Sequence, residues 1–390
     1  MNLSEELKVI TTTQDLALFC ESISKDDFIA LDTEFMRENT YYPILCLIQV
    51  AGTEHHGLID PLANGMDLSP FIELLKNEKI RKVFHAGRQD LEIFYNLMGT
   101  LPHNIYDTQI AAMVCGFGDS VGYETLVNEI LKKTLDKTSR VSDWSIRPLS
   151  QKQLKYALLD VVYLRDLYEH LVNRIEESGR SSWISEELNV LSEEKTYVLD
   201  LEKYLSKLSF RKSKPEYLAR ALAILKVRED FARNKNIPRG WIFRDDFIVD
   251  MALLNPQTLD DFKGIRGLYD RLMQHKIGPT LLEALKNVAP EKLDPNLLKN
   301  TARIEKKVNP DLMEVLKLTL KLVARSSQVS EKLIATNRDL EDIIREGENA
   351  TTACLKGWRL EIFGQKALAL LQGHLTLKVS NNTLVLLEAE

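Results

Sequence analysis

The chain has few cysteines and no long apolar segment. Its 390 residues include four cysteines that form no CxxC pair and have no histidine at zinc-ligand spacing: Cys20, Cys46, Cys115 and Cys354. This scatter argues against a zinc site or a disulfide framework and predicts reduced, mostly buried thiols. No apolar run approaches the roughly 18 residues that a membrane-spanning helix needs, and the first ten residues lack the basic and apolar regions of a signal peptide. We therefore expect a soluble cytoplasmic protein, neither exported nor inserted in a membrane.

An excess of positive charge is also missing. The formal net charge is -6, which argues against a protein that binds nucleic acid over its whole surface. The average conceals a local contrast, because residues 211–246 contain ten Lys and Arg against five Asp and Glu. Such a stretch suits contacts with phosphate groups, but a solvated helix face has the same composition. The sequence leaves both alternatives open.

The length predicts two or three domains, and the first 170 residues have the pattern of a mixed α/β domain. Runs rich in β-branched and aromatic residues predict strands at 28–35, 44–51, 56–59 and 82–86. The first three are joined by connections short enough for an antiparallel meander.

Helix signals follow the strands. Ser69 and Pro70 predict a helix that begins with Ser69 as its cap, and Gly99 predicts the end of the helix that starts after the strand at 82–86. Ser150 with Gln153 forms the pattern of a capping box and predicts a helix from about residue 151 to about residue 170.

Beyond residue 176 the chain is largely helical and contains a weak internal repeat. The sequence FKGIR at 262–266 recurs as LKGWR at 355–359, and Arg-Asp at 244–245 recurs at 338–339, offsets of 93 and 94 residues. Similar offsets predict a duplicated helical domain. The segment 287–296, with two prolines, is the expected linker, and Asn381-Asn382 predicts the turn of a terminal hairpin.

Two acids at the end of the first predicted strand point to a metal site. In a strand, residues two apart face the same side, so Asp32 and Glu34 project together. Two carboxylates held together repel unless a cation lies between them, and oxygen ligands favour a hard divalent ion. An exposed Asp-x-Glu pair on a solvent-facing strand is the structural alternative.

Two further positions add polar groups to predicted helices. Tyr156 and Asp160 lie one turn apart on the capped helix and share a face with apolar neighbours. Asp90 lies in the first turn of its helix, where the helix dipole favours an acid. Taken singly, Tyr156 would anchor through its hydroxyl, Asp160 would be solvated and Asp90 would cap its helix.

Taken together, these residues resemble a known set. An Asp-x-Glu strand, a second Asp after a strand and turn, and a Tyr-x-x-x-Asp helix resemble the three motifs of the DEDD exonucleases, tyrosine branch. The segments FIALDTEFMRENTYYPILCLIQVA, VFHAGRQDLEIF and WSIRPLSQKQLKYALLDVVYL are similar to the ribonuclease D family. The helical repeat resembles paired HRDC domains, more loosely in the second copy, where EGENATT replaces the pattern of the first.

The resemblance implies a domain plan and a fold. It implies an α/β exonuclease domain with a ribonuclease H-like mixed sheet flanked by helices at 1–175 and a helical connector at 176–209. Two all-α HRDC-like domains would follow at 210–290 and 291–390, the second with the terminal hairpin.

The resemblance also implies catalytic roles. Asp32, Glu34, Asp90 and Asp160 would hold two divalent metal ions, and Tyr156 would orient the attacking water. Mg²⁺ suits such an acid-rich site and Mn²⁺ should substitute, since both prefer oxygen ligands.

Substrate-binding candidates combine cations and aromatic rings, which suit phosphate contact and base stacking. Those near the exonuclease motifs are Arg88, Trp144 and Arg147; the structural alternatives are solvation for Arg88 and core packing for Trp144. Those in the basic stretch are Arg233, Lys235, Trp241 and Arg244. Gly116 and Gly118 fit neither a phosphate-binding loop nor a dinucleotide fingerprint, so we expect a flexible connection there.

The resemblance therefore implies a 3′-to-5′ exoribonuclease that releases nucleoside 5′-monophosphates and trims structured RNA such as tRNA precursors. Nothing in the sequence indicates an obligate protein partner. The acids alone do not separate RNA from DNA, so a proofreading-type exonuclease of single-stranded DNA is the nearest alternative. A non-catalytic nucleic-acid-binding adaptor is the other.

Overall fold

The described residues of the computed structural model form two compact units. They are residues 7–135, 142–208, 210, 214–290, 293 and 308–389. One unit comprises the described residues within 1–34, 46–193 and 306–390, and the other comprises those within 35–45 and 194–305. The last helical region is thus grouped with the N-terminal domain, although the predicted plan set it apart at 291–390. The domain boundaries themselves stay a prediction.

A five-stranded mixed sheet organises the N-terminal part of the first unit. Its order is β3-β2-β1-β4-β5, and its strands are β1 Phe28–Met36, β2 Ile44–Ala51, β3 His56–Ile59, β4 Arg81–Phe84 and β5 Ile105–Asp107. β2 pairs antiparallel with β3, whereas β4 runs parallel to both β1 and β5. Residues 29–31 and 46–51 are buried without alternation, as expected of strands covered on both faces. The predicted mixed sheet is confirmed.

Helices cover this sheet: α1 Thr13–Ile23, α2 Ser69–Lys76, α3 Arg88–Met98, α4 Thr108–Val114, α5 Tyr123–Leu126, α6 Gln151–Glu177 and α7 Ser181–Leu191. α3 ends at Gly99 in the left-handed conformation (φ 73°), as predicted. The capping box of Ser150 and Gln153 is also present. α6 runs seven residues beyond its predicted end, because Leu171 and Ile175 continue its buried face.

The predicted cap of α2 is wrong. The N-cap residue is Leu68, and Ser69 is the first residue of the helix. The Ser69 hydroxyl instead donates to the Asp67 carboxylate at 2.6 Å, and the Ser69 amide donates to the same oxygen at 2.9 Å. The Asp67 carboxylate, two residues upstream, therefore accepts from both groups of Ser69 at the start of the helix.

The helices of the second unit are α8 Leu201–Leu205, α9 Pro215–Lys235, α10 Arg239–Ile242, α11 Asp245–Leu254, α12 Tyr269–His275 and α13 Gly278–Lys286. Fully buried apolar side chains from these helices and from the segments between them form one core, which includes Ile224, Phe243, Phe262 and Leu281.

A buried ion network completes the second unit. The Tyr41 hydroxyl donates to the carboxylate of Glu229 on α9, and Glu229 is only 3% exposed. Arg233 and Arg239 donate to the same carboxylate at 3.2 and 3.0 Å. The side-chain oxygen of Asn236, the left-handed residue that ends α9, accepts from the Tyr41 amide at 3.1 Å. These contacts bind the loop of residues 37–43 to the helical core.

The C-terminal residues of the first unit form α14 Pro310–Ser327, α15 Glu331–Ile334, α16 Asn337–Glu346, α17 Gly357–Arg359, α18 Gln365–Leu371 and the strands β6 Leu375–Ser380 and β7 Thr383–Glu388. β6 and β7 pair antiparallel. Asn381 and Asn382 have φ of 48° and 58°, the geometry of a two-residue hairpin turn. The predicted hairpin is confirmed.

The two helical regions repeat one order of elements. In each, a long helix ends at a left-handed residue and is followed by a four-residue helix and a ten-residue helix, α9–α11 and α14–α16. Asn236 corresponds to Gln328, an offset of 92 residues. The Arg-Asp pairs are therefore not equivalent, since Arg244 precedes α11 and Arg338 lies inside α16. The expected linker at 287–296 falls mainly outside the described residues.

Among the described helices, none combines the length and apolar character that crossing a membrane requires.

We predict that Glu229→Gln destabilises the second unit by about 3 kcal/mol, because it leaves two arginines beside a buried group that no longer carries a compensating charge. Hydrogen exchange of the α9 amides in the full chain measures the change. The control is Asp230→Asn, the same chemical change at the neighbouring exposed position. Equal protection of α9 in the two variants would contradict the prediction.

Candidate active site

Three carboxylates from two elements converge beside β1. Asp32 and Glu34 project from one face of β1, and Asp160 projects from α6, whose start is fixed by its capping box. One oxygen from each of these acids lies within 4.8 Å of the other two. The structure thus brings Asp160 close to two acids that lie 128 and 126 positions before it in the sequence.

Asp90 is held next to this group by the start of α3. The aspartate is 7% exposed and accepts a hydrogen bond from the Thr33 hydroxyl, between the two acids of β1. The turn before α3 is fixed by Asp107, whose carboxylate accepts from the Gly87 amide at 2.9 Å. A Cβ at Gly87 would lie 2.4 Å from the Cβ of Phe84, so this turn requires glycine.

The pKa values of the acids show the cost of holding them together. Burial, together with the charges of Asp90, Asp160 and Glu34, raises the pKa of Asp32 well above its usual range. Burial and the charges of Asp160 and Asp90 raise the pKa of Glu34 to about 8. For Asp90, burial raises the pKa to about 6, although the hydrogen bond from Thr33 opposes the shift. A cation among these oxygens would relieve both the desolvation and the repulsion.

The donor set fits a hard divalent ion. All the ligand atoms of the convergent group are carboxylate oxygens, and neither His nor Cys takes part in it among the described residues. Mg²⁺ and Mn²⁺ prefer such oxygen ligands, whereas zinc sites are built mainly from nitrogen and sulfur.

Tyr156 lies at the edge of the acids with its hydroxyl hydrogen-bonded to Asp160. Burial and the negative charges of Asp160, Glu34 and Asp32 raise its pKa far above neutral pH. Tyr156 is therefore a neutral phenol that can donate a hydrogen bond and accept another. The indole ring of Trp144 is centred 6.2 Å from the Tyr156 ring and is 2% exposed. Trp144 thus packs behind the tyrosine, and its predicted contact with substrate is not favoured.

A cavity of about 500 Å³ opens beside the acids. Its lining combines Asp32, Tyr156 and Asp160 with His85, Gln109 and residues 122–125. Sequence reasoning missed Gln109 and the 122–125 segment, which lie on either side of the Gly116–Gly118 loop that was interpreted as a flexible connection. The only sequence feature that drew attention to this region was the nearby pair of glycines, Gly116 and Gly118.

The prediction that Arg147 binds substrate is corrected. Its guanidinium donates to both oxygens of Asp60, at 2.7 and 2.8 Å, and to the carbonyl oxygens of Cys46, Trp144 and Ile146. Every donor of the side chain is engaged within the protein, so Arg147 joins β2 and β3 to the start of α6. Arg88 is exposed at the first residue of α3 and stays a candidate.

Four cations of the basic stretch form ion pairs with its own acids. Arg233 and Arg239 bind Glu229, Arg228 binds Asp245 at 2.9 Å, and Arg244 binds Asp246 at 3.1 Å. Lys235 is exposed, and Trp241 is 51% exposed. Of the predicted RNA-binding residues there, Lys235 and Trp241 remain accessible, whereas the cations of Arg233 and Arg244 are paired.

Comparison with known proteins agrees with this geometry. A family model described as 3′-5′ exonuclease matches residues 7–176, and an HRDC domain model matches residues 218–285. Ribonuclease D of Bartonella henselae is 41% identical over 96% of this chain and 92% of its own, and that of Zymomonas mobilis is 41% identical over 97% of each.

The chain belongs to the ribonuclease D family. The crystal structure of Escherichia coli RNase D, described as an exoribonuclease involved in structured RNA processing, covers 94% of this chain and 99% of its own with a TM-score of 0.77 and 29% identity. The prediction of a 3′-5′ exoribonuclease is confirmed over the DNA-exonuclease and adaptor alternatives. This ribonuclease D thus has a mixed-sheet exonuclease domain followed by helical HRDC-type sequence.

Because the pKa of Glu34 is raised, the folded protein without metal holds more protons than the unfolded chain between about pH 4.5 and pH 8. The contribution of this group to stability therefore falls as the pH rises through that window. Mg²⁺ should offset the loss, so we predict that it raises Tm more at pH 8.5 than at pH 6. Thermal unfolding with and without Mg²⁺ measures this, and Glu34→Gln should reduce the pH dependence. An equal Mg²⁺ effect at both pH values would count against the prediction.

We predict that Arg147→Ala lowers the free energy of unfolding of the exonuclease domain by about 3 kcal/mol, because Asp60, 5% exposed, loses its ion-pair partner. Denaturant unfolding is the measurement, and Arg147→Lys, which keeps the charge but not the forked geometry, should lose less. If Arg147→Ala left stability unchanged and raised the KM for RNA, a substrate-binding role would be restored.

Proposed function

We propose that this ribonuclease D removes nucleotides one at a time from the 3′ end of structured RNA, tRNA precursors among them, and releases nucleoside 5′-monophosphates. The observation that carries the proposal is the convergence of Asp32, Glu34 and Asp160, with Asp90 and Tyr156 beside them. Similarity to a structured-RNA exoribonuclease over nearly the full length supports the substrate class.

Asp32, Glu34, Asp90 and Asp160 would hold two divalent metal ions, Mg²⁺ by preference, and Mn²⁺ would substitute. When bound, such ions lower the pKa of a coordinated water and stabilise the charge that develops on the leaving oxygen. In this mechanism a water molecule is the nucleophile, and the carboxylates act as metal ligands.

Tyr156 would position the attacking water. Its hydroxyl bonds to Asp160, which sets the direction of the phenol, and its raised pKa keeps the proton on the oxygen. The water oxygen forms a bond to the terminal phosphorus, the bond from phosphorus to the penultimate 3′ oxygen breaks, and that oxygen is protonated. The products are a nucleoside 5′-monophosphate and an RNA shorter by one residue.

We predict that Asp32→Asn and Asp160→Asn each lower kcat on a short RNA by on the order of 10³-fold, since transition-state charge stabilisation of several kcal/mol is lost. Tyr156→Phe should cost less, on the order of 10-fold to 100-fold, because only the positioning of water is lost. The assay uses RNA labelled in separate reactions at the 5′ or the 3′ end, with Mg²⁺ and with chelator.

The control is Asp166→Asn, the same substitution on the exposed face of α6, which should keep wild-type activity. Wild-type rates in Asp32→Asn or Asp160→Asn would refute the assigned metal site. Degradation of a matched DNA while the RNA stayed whole would overturn the proposed substrate.

A further inference from the structure

The loop of residues 116–122, here called the cleft loop, joins α4 to the cavity wall. Gly116, Gly118 and Ser120 have φ of 80°, 116° and 49°. Because left-handed residues interrupt any regular hydrogen-bond pattern, the loop depends on other segments for its position.

Those segments are the C-terminal helical module, residues 308–389, within the same compact unit. The Ser330 amide donates to the carbonyl oxygen of Met113 at the end of α4 at 3.0 Å. The Ser330 hydroxyl donates to the carboxylate of Asp119 in the cleft loop, and the Lys332 amide donates to the same oxygen at 3.3 Å. Ser330 is 5% exposed. The segment between α14 and α15, with the start of α15, therefore forms hydrogen bonds to both ends of the residue range 113–119.

The backbones also approach closely. A Cβ at Gly116 would lie 2.5 Å from the carbonyl oxygen of Gln328. That oxygen also accepts from Arg180 at 3.0 Å, and the same Arg180 nitrogen donates to the carbonyl oxygen of Val114 at 2.8 Å. Arg180 thus ties the end of α4 to the end of α14.

Further contacts join the C-terminal helical module to α7 of the exonuclease domain. The indole rings of Trp183 on α7 and Trp358 on α17 stack at 4.4 Å with an angle of 9°. Arg359 forms ion pairs with Glu187 and, at 3.6 Å, with Glu186.

The other end of the cleft loop reaches the catalytic cavity. The Val121 carbonyl oxygen accepts from Gln109 Nε2 at 3.0 Å and lies 3.2 Å from His85 Nε2, and both side chains line the cavity. Residues 122–125 line it as well, and the Tyr123 hydroxyl donates to the carbonyl oxygen of Leu159, the neighbour of Asp160, at 2.9 Å. Asp119 is thus two residues from Val121, whose carbonyl oxygen contacts the side chains that line the cavity.

We propose that Asp119 and Ser330 are positioning residues, through which the C-terminal helical module holds the wall of the catalytic cavity in the shape that binds the RNA 3′ end. The inference rests on the proposed function, because it concerns substrate binding at that site. It assigns the module a role on every substrate, including RNA too short to reach a separate binding surface.

The test compares Asp119→Ala with Asp119→Asn in the full chain, because truncation would also uncover Trp183 and Arg180. Asn keeps an oxygen that accepts from Ser330 and Lys332, whereas Ala keeps none. On a short single-stranded RNA, Asp119→Ala should raise KM about fivefold, the equivalent of about one net hydrogen bond, with kcat within about twofold of wild type. Asp119→Asn should restore most of the KM.

Ser330→Ala provides a second, smaller change. It should raise KM in the same direction, and in the double variant with Asp119→Ala the two effects should not add, because both remove one contact. Hydrogen exchange of residues 117–125 should increase in Asp119→Ala and Ser330→Ala, a readout independent of catalysis.

The outcomes separate this inference from the proposed function. An inactive wild-type enzyme on RNA would overturn the proposed function, and the exchange data would then still report whether the module holds the loop. Active wild type with unchanged KM in Asp119→Ala would overturn the positioning role, as would a fall in kcat alone, which reports loss of folded enzyme. Unchanged hydrogen exchange of residues 117–125 in both alanine variants would show that the position of the cleft loop does not depend on these side chains, and would overturn the proposal.

Discussion

The structure depends on holding mutually repelling carboxylates together in a half-buried cleft. Burial and repulsion raise the pKa values of Asp32, Glu34 and Asp90, so the arrangement is unfavourable without a compensating cation. The four acids are held by three rigid elements, β1, α3 and α6. The pleat of β1 fixes the positions of Asp32 and Glu34. The capped start of α6 fixes the position of Asp160, and the glycine turn before α3 fixes that of Asp90. Because rigid elements restrain each acid, the group can converge despite the repulsion.

What the sequence predicted were relations of short range. Asp32 and Glu34 share a face because side chains alternate along a strand. Tyr156 and Asp160 share a face because they lie one turn apart on a helix. The cap of α6 was predicted from the four residues Ser150 to Gln153. The hairpin turn at Asn381-Asn382 is equally local. The convergence of these pieces came from resemblance to a family rather than from any local rule.

What the sequence did not predict depends on partners far away in the chain. Arg147 looked like an RNA ligand, but Asp60, 87 positions upstream, occupies its donors. The basic stretch showed an excess of cations, but four of them form ion pairs with three acids, Glu229, Asp245 and Asp246. A count of charges records composition and not pairing, so it overstated the surface available to RNA. The sequence did not predict an ordered cleft loop, because the residues that hold it, Gln328 and Ser330, lie more than 200 positions later in the chain.

The two helical copies use the same corner of their repeated fold to hold a loop of the exonuclease sequence. In the first, Asn236 ends α9 and its side chain binds the loop 37–43, which directly follows β1 and its two acids. In the second, the corresponding residue, Gln328, ends α14 and its backbone packs on Gly116, while Ser330 binds Asp119. The last carbonyl groups of a helix lack partners within the helix, so a helix end offers groups that can bind a neighbouring loop. The chemistry of each grip differs, with a side-chain amide and an ion network in one copy and backbone packing with a serine hydroxyl in the other. The same order of helices therefore supports two different loops, each continuous with a segment of the catalytic cleft.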